Sequence, residues 1–400
     1  MLRFSRSSDA LQSSAVRELM KAASNPDMIS FSGGMPNPGL FPVQELDEII
    51  SALPLRAKQD GFQYGPTPGY PPLLESLSAY LRSKGLPVDD NGLIITAGSL
   101  QAIHLVTKVF IDPGDTVVTE TPCFVGAIPV FRYFQAALRG VPLDSDGPML
   151  RDLKQTLEEE KPTLLYLTPY FHNPAGIVYS AERKASVMNL VKGRDIPLLE
   201  DDAYGELYFD EKDKPLTVPM KVSADPSIPI CYTGSFSKIF GPGMRLGWLL
   251  GPKDVTARCE LAKQGVDACS STYTQVLADA FLRGGYLPAY LERLRKAYAR
   301  RCQIMTEALK ALMPEGVKWN APKGGFYLWL QLPEGMNATA LLEIAAARGA
   351  VFVVGRAFDP EGQKDDCLRL SFSHTPEERI AEGVRILAES MAVLSGKSSR

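Results

Sequence analysis

Histidine is nearly absent from this chain: His104, His172 and His374 are the only three in 400 residues. They lie far apart, with no H-x-x-x-H spacing and no cysteine cluster beside them, so no common zinc arrangement can be read from them. The six cysteines form no C-x-x-C pair and most sit in apolar surroundings. That pattern predicts buried free thiols in a reducing compartment rather than disulfides. No apolar run approaches the roughly 20 residues that span a bilayer. The net charge of -3 gives no basic excess to draw the chain to nucleic acid or anionic membranes. The opening "MLRFSRSSDALQSSAVRELMKAAS" has no apolar core of the kind a secretory signal needs, and Asp9 and Glu18 interrupt any basic face. A cytoplasmic location is expected.

What the chain does have is an ordinary globular composition, 45% hydrophobic and 22% charged, at a length that suggests two or three domains. Its middle alternates short apolar runs with helical patterns. "LIITAG" (93–98), "TVVTE" (116–120), "TLLYLTP" (163–169), "IPLLED" (196–201) and "IPICYTG" (228–234) are the runs. Such alternation predicts an α/β fold with a mostly parallel sheet covered on both faces. From about residue 284 a long helical pattern begins. It is followed by "GGFYLWLQL", a helix over 337–348, "GAVFVVG", "CLRLSFS" and a final helix over 376–394, which together make a smaller α+β unit. The expected division is an N-terminal arm over 1–50, a large unit over 51–289 and a small unit over 290–400, with the arm packing on the small unit.

In parallel sheets, ligands collect at the carboxyl ends of strands. After "LIITA" comes Gly98-Ser99-Leu100-Gln101, opening a helix; this suits an anion site, or a simple cap by Ser99. After "TLLYLTP" comes Asn173-Pro174, a turn signal or an N–H donor to a ligand. After "IPLLE" comes Asp201-Asp202-Ala203-Tyr204. A carboxylate there needs a cation, unless Asp201 caps a helix and Asp202 is a surface residue. After "IPICYTG" come Ser235, Ser237, Lys238 and Arg245. Four separate caps explain this set poorly. A phosphorylated aldehyde cofactor explains it better: it needs a lysine, an anion site, a carboxylate for its ring nitrogen and donors for its phenolic oxygen.

The chain resembles the fold-type I pyridoxal-phosphate aminotransferases of class I, and within them the group holding 2-aminoadipate and kynurenine aminotransferases. The likeness rests on "ISFSGGMPNPGLFP", "FQYGPTPGYPPLLESL", "ITAGSLQAI", "ETPCFVGAI", "NPAG", "EDDAYGEL", "SFSKIFGPGMRLGW", "PKGGFYLWL" and "LRLSFS", in that order. The resemblance implies a mostly parallel seven-stranded sheet flanked by helices, a smaller α+β domain, and pyridoxal 5'-phosphate as cofactor. It implies that Lys238 carries the cofactor and acts as general base, and that Asp201 pairs with the ring nitrogen. Tyr204 and Asn173 would bond the phenolic oxygen. Ser99, the backbone of Leu100, Ser235, Ser237 and Arg245 would hold the phosphate, and Phe124 would stack on the ring. Tyr64 would reach the cofactor of a second subunit, which implies a homodimer with shared sites. Arg369 would clamp the substrate carboxylate, with Gly34 and Asn173 beside it, and Arg17 would meet an acidic side chain. Three positions depart from the usual pattern: Phe124 stands where Tyr is common, "NPAG" replaces "NPTG", and Leu74 replaces an arginine.

Rival readings are weaker. Ser235-Phe236-Ser237-Lys238 fits S-x-x-K, but no S-D-N accompanies it. "GPGMRLG" lacks the G-x-G-x-x-G spacing of a dinucleotide site. A regulatory role would call for a DNA-binding segment, and the aminotransferase-like pattern begins within the first 30 residues. A lyase or decarboxylase on the same scaffold is the closest rival.

Overall fold

The computed structural model describes residues 4–9 and 27–396. Its strands, in chain order, are β1 (Ile29–Ser30), β2 (Gly92–Thr96), β3 (Thr116–Thr121), β4 (Ala137–Asp144), β5 (Gly147–Pro148), β6 (Leu164–Leu167), β7 (Leu198–Asp202), β8 (Ile230–Ser235), β9 (Gly247–Gly251), β10 (Lys318–Trp319), β11 (Tyr327–Gln331), β12 (Ala350–Val351), β13 (Val353–Val354) and β14 (Cys367–Ser371).

The large sheet runs in the order β2-β9-β8-β7-β6-β3-β4-β5. The pairs β3–β4, β3–β6, β6–β7 and β7–β8 are parallel. β9 runs against both of its neighbours. The expected seven strands are present, and an eighth, the two-residue β5, folds back on β4 as a hairpin.

Every residue of β6, β7, β8 and β9 is buried. Successive side chains of a strand point to opposite faces, and here both faces are covered. Val117, Leu164, Tyr166, Leu199 and Cys231 pack with the helices Ser99–Phe110, Ala127–Tyr133 and Lys253–Gln264. Val118, Leu165, Leu167, Leu198 and Ile230 pack on the other face with Leu150–Glu160 and Ala181–Val191. One-residue steps between two apolar clusters fix the register, because a slip would turn every side chain to the wrong face.

A second, antiparallel sheet has the order β10-β11-β14-β13. Leu328, Leu330, Leu368 and Leu370 share a core with the helices Tyr286–Leu312, Ala338–Ala347 and Glu377–Leu394. β1 pairs in parallel with β12. Phe31 O, just beyond β1, accepts from Ser371 N at the end of β14, which brings the segment around Gly33-Gly34 against the second sheet. Among the described residues, no helix is long and apolar enough to cross a membrane.

Candidate active site

β2, β3, β6, β7 and β8 end at one edge of the large sheet, so Ser99, Phe124, Asn173, Asp201 and Lys238 follow from strand direction alone. Arg245 reaches the same edge for the opposite reason: it lies two residues before the start of the antiparallel β9. All the expected site residues except Tyr64 and Arg17 line one cavity of about 330 Å³. Tyr64 is 86% exposed on its own chain, away from that cavity. Arg17 lies outside the described residues.

At one end of the cavity the helix Ser99–Phe110 begins after Gly98, whose φ of +83° suits glycine. No side chain caps it. Ser99 is its first residue rather than its cap; Gln101 N donates back to Gly98 O at 3.1 Å, and the N–H groups of Ser99 and Leu100 stay open to an anion. A Cβ on Gly247 would lie 2.8 Å from Ser99 N, so only glycine lets β9 approach this turn. Arg245 Nη2 donates to Ala97 O at 2.9 Å, and Ser237 N donates to Ser235 Oγ at 3.1 Å. Behind the turn, Gln101 accepts from Ala97 N at 2.7 Å and donates to Asp267, which pairs with the buried Lys263. The turn is therefore braced from the helix side.

Lys238 Nζ donates to Gly34 O at 2.9 Å. Burial, followed by the charges of Arg369 and Arg245, brings its pKa down to about 8. A lysine there loses its proton far more easily than one in water. Asp201 ends in the opposite condition. Burial pushes its carboxyl up to about 7, with Asp202 and Glu120 adding to the rise and a hydrogen bond from Tyr166 opposing it. Tyr166 Oη meets Oδ2 at 2.8 Å, while Oδ1 is buried with no partner. Asp202 is buried too, not a surface residue: it accepts from Gly205 N and Tyr232 Oη at 2.7 Å each and lies 3.6 Å from Lys84 Nζ. Adjacent positions on β7 give the two carboxylates opposite faces and separate environments.

Arg369 on β14 is 1% exposed. Nη1 donates to Asn173 Oδ1 at 2.8 Å, Nη2 to Ser32 O, and Nε has no partner. The guanidinium lies 4.4 Å from the Tyr327 ring centroid and 4.9 Å from that of Phe358. A buried cation bonded only to neutral oxygens is ready for an anion. Tyr204 Oη lies 2.9 Å from Tyr327 Oη.

Two tyrosines were not legible as site residues. Tyr327 lines the cavity and Tyr166 holds Asp201. Both lie inside apolar strand runs, where a tyrosine reads as packing. The alternation of β6 does put Tyr166 on the face of Leu164, a signal that points toward Asp201 only once the β6–β7 pairing is known. Among the described residues, no group of three or more His, Cys, Asp or Glu is arranged to hold a metal ion.

Residues 28–387 match the family described as aminotransferase class I and II. The aromatic-amino-acid aminotransferase 1 of Thermococcus litoralis is 36% identical over 395 residues, which span 97% of this chain and 94% of that protein. The crystal structure of kynurenine aminotransferase from Pyrococcus horikoshii, in complex with PMP, with KYN as substrates and KYA as products, superimposes with a TM-score of 0.93 at 36% identity. It covers 98% of this chain and 97% of that one. The alpha-aminoadipate aminotransferase of Thermus thermophilus, solved with N-(5'-phosphopyridoxyl)-L-leucine, gives a TM-score of 0.86 at 34% identity, with 98% of each chain covered. A family match over most of the sequence, and near-full-length likeness to these proteins, establish that this chain belongs to the class I and II aminotransferases.

Proposed function

We propose that this fold-type I aminotransferase uses pyridoxal 5'-phosphate to move an amino group between an L-amino acid and a 2-oxo acid such as 2-oxoglutarate. The donors are 2-aminoadipate, glutamate, aromatic and branched-chain amino acids. One observation carries the reading. The walls of a single cavity bring together a lysine, a carboxylate with a buried unpaired oxygen and a guanidinium bonded only to neutral oxygens.

The residues fit the cofactor. Asp201 Oδ1 lacks a donor, and a protonated ring nitrogen supplies one. The open helix turn at Ser99 and Leu100, with Ser235, Ser237 and Arg245, takes a phosphate dianion. Tyr204 and Asn173 would hold the phenolic oxygen, and Phe124 would cover the ring. Bound there, pyridoxal phosphate supplies an aldehyde that condenses with amines and a ring that draws electrons from the bonds at Cα. Arg369 grips the substrate carboxylate and so decides which Cα bond faces Lys238. Lys238 Nζ, with its pKa near 8, would take up and give back the substrate's Cα proton as general base. Gly34, whose carbonyl oxygen accepts from that nitrogen, lies against the substrate.

Tyr64, exposed on its own chain, is assigned to the cofactor of a second copy, in a homodimer with shared sites. Arg17 is assigned to acidic side chains; Arg17→Ala then weakens 2-aminoadipate and glutamate far more than leucine or phenylalanine. The cytoplasm is the proposed location.

The test is an absorption spectrum of purified protein before and after an amino donor is added without any oxo acid. A yellow band that converts stoichiometrically to that of the aminated cofactor is the expected result. Protein that stays colourless with added pyridoxal phosphate, or a Lys238→Ala variant with full turnover, overturns the reading.

A further inference from the structure

The hydroxyl of Tyr327 on β11 lies in the cavity and has no task in that chemistry. Tyr327 is 2% exposed, so its position is set by packing. Its Oη lies 2.9 Å from Tyr204 Oη, and its ring lies under the Arg369 guanidinium. It also fills the space over Gly34, where an added Cβ would fall 2.0 Å from the hydroxyl. Gly34 O in turn receives Lys238 Nζ. Tyr327 thus touches the cofactor-side tyrosine, the substrate-side arginine and the backbone that holds the lysine.

Counting protons gives the hydrogen bond a direction. A tyrosine hydroxyl has one proton to donate and lone pairs to accept with. If Tyr204 gives its proton to the cofactor's phenolic oxygen, it can only accept from Tyr327. We infer that Tyr327 is a positioning residue that acts through Tyr204, donating to its oxygen so that the Tyr204 proton is held toward the cofactor. The inference rests on the pyridoxal-phosphate reading of the site. Hydrogen bonds in a chain polarise one another, so Tyr327 makes Tyr204 a stronger donor as well as a fixed one.

The consequence is a shift in a titration. A donor on the phenolic oxygen withdraws part of its negative charge, and that charge is what retains the proton on the nearby nitrogen joined to Lys238. Weakening the donor strengthens the hold on that proton. Tyr327→Phe removes only the hydroxyl; the ring under Arg369 and the packing remain.

The experiment is a pH titration of the visible absorbance of cofactor-loaded wild-type protein, Tyr327→Phe, Tyr204→Phe and the double variant, with melting temperatures as a folding control. Tyr204→Phe is expected to raise the midpoint. Tyr327→Phe should raise it by a smaller amount, roughly 0.3–0.7 pH unit, with kcat down roughly 3-fold and KM for the amino acid nearly unchanged, because Arg369 keeps its contacts. The double variant should match Tyr204→Phe alone. A wild-type midpoint in Tyr327→Phe while Tyr204→Phe shifts overturns the inference and leaves the proposed function standing. So does a double variant whose shift is the sum of the two single shifts. Failure of wild-type protein to form any coloured complex overturns the proposed function instead.

Discussion

The Tyr166 hydroxyl donates to one oxygen of Asp201 at 2.8 Å and leaves the other, Oδ1, buried with no partner. This is an unstable state for a carboxylate. Half of it is satisfied, and the other half faces low dielectric beside Glu120 and Asp202, which push the same way. The protein alone relieves this by protonating Asp201, and a bound ring nitrogen that carries a proton relieves it by pairing.

Stability of the cofactor-free protein should therefore depend on pH through Asp201. Its folded-state pKa, about 7, lies above the ordinary value of 3.8. Between those values the folded state binds more protons than the unfolded one, so stability falls as pH rises. Asp201→Asn has no such titration. The stability of wild type relative to Asp201→Asn should fall across pH 4 to 7 by up to about 4 kcal/mol. Denaturant unfolding of both apo proteins at several pH values measures it, and a flat difference refutes the assignment.

Tyr166→Phe should weaken the cofactor's hold without emptying the site. With its one good donor gone, Asp201 is pushed further toward the neutral acid, which pairs less well with a protonated ring nitrogen. A lost hydrogen bond of about 1 kcal/mol corresponds to roughly 5-fold weaker binding. Titration of apo protein with pyridoxal phosphate, followed by absorbance, gives the affinity. Unchanged affinity means that Tyr166 is only packing.

How much of this was readable in the sequence depended on where each residue stands relative to its strand. Lys238, Asn173 and Ser99 follow strand ends, where a polar or glycine-rich stretch breaks an apolar run. Tyr166 and Tyr327 lie within runs, and their hydroxyls acquire meaning only from pairings with distant strands. The sequence does not decide Asp202 for the same reason: its partners Tyr232 and Lys84 come from other parts of the chain. The direction of β9 was not readable either, because "GWLLG" is apolar throughout and carries no orientation. The helix that follows β3 begins only at Ala127, since Cys123 and Phe124 are used in the turn that brings Phe124 to the cavity.

Gly34→Ala is predicted to be severe for a steric reason. The new methyl would fall 2.0 Å from Tyr327 Oη but 3.1 Å from its Cζ. The tyrosine is fully packed and cannot swing away, so the Gly34 backbone must shift and take its bond to Lys238 with it. Loss of about 2 kcal/mol of transition-state stabilisation corresponds to roughly 30-fold in kcat/KM. Adding Tyr327→Phe removes the closest atom, so Gly34→Ala/Tyr327→Phe should recover part of the activity. Steady-state kinetics of the three variants decide it: no recovery in the double variant means that the clash is not the cause.

Arg369→Lys keeps the charge and loses the fork. The guanidinium bonds Asn173 and Ser32 with two nitrogens while its plane lies near the rings of Tyr327 and Phe358. An ammonium group cannot match that geometry, nor grip a carboxylate at two points. Removing one such contact in a buried site costs about 2–4 kcal/mol, so kcat/KM for α-amino acids should fall roughly 30- to 1000-fold. A primary amine with no carboxylate offers the guanidinium nothing to grip. Its slow reaction with the bound cofactor should be the same in wild type and variant. Measuring both amines with both proteins separates a carboxylate clamp from a general structural role: equal losses for the two amines would mean that Arg369 supports the fold of the site rather than the substrate.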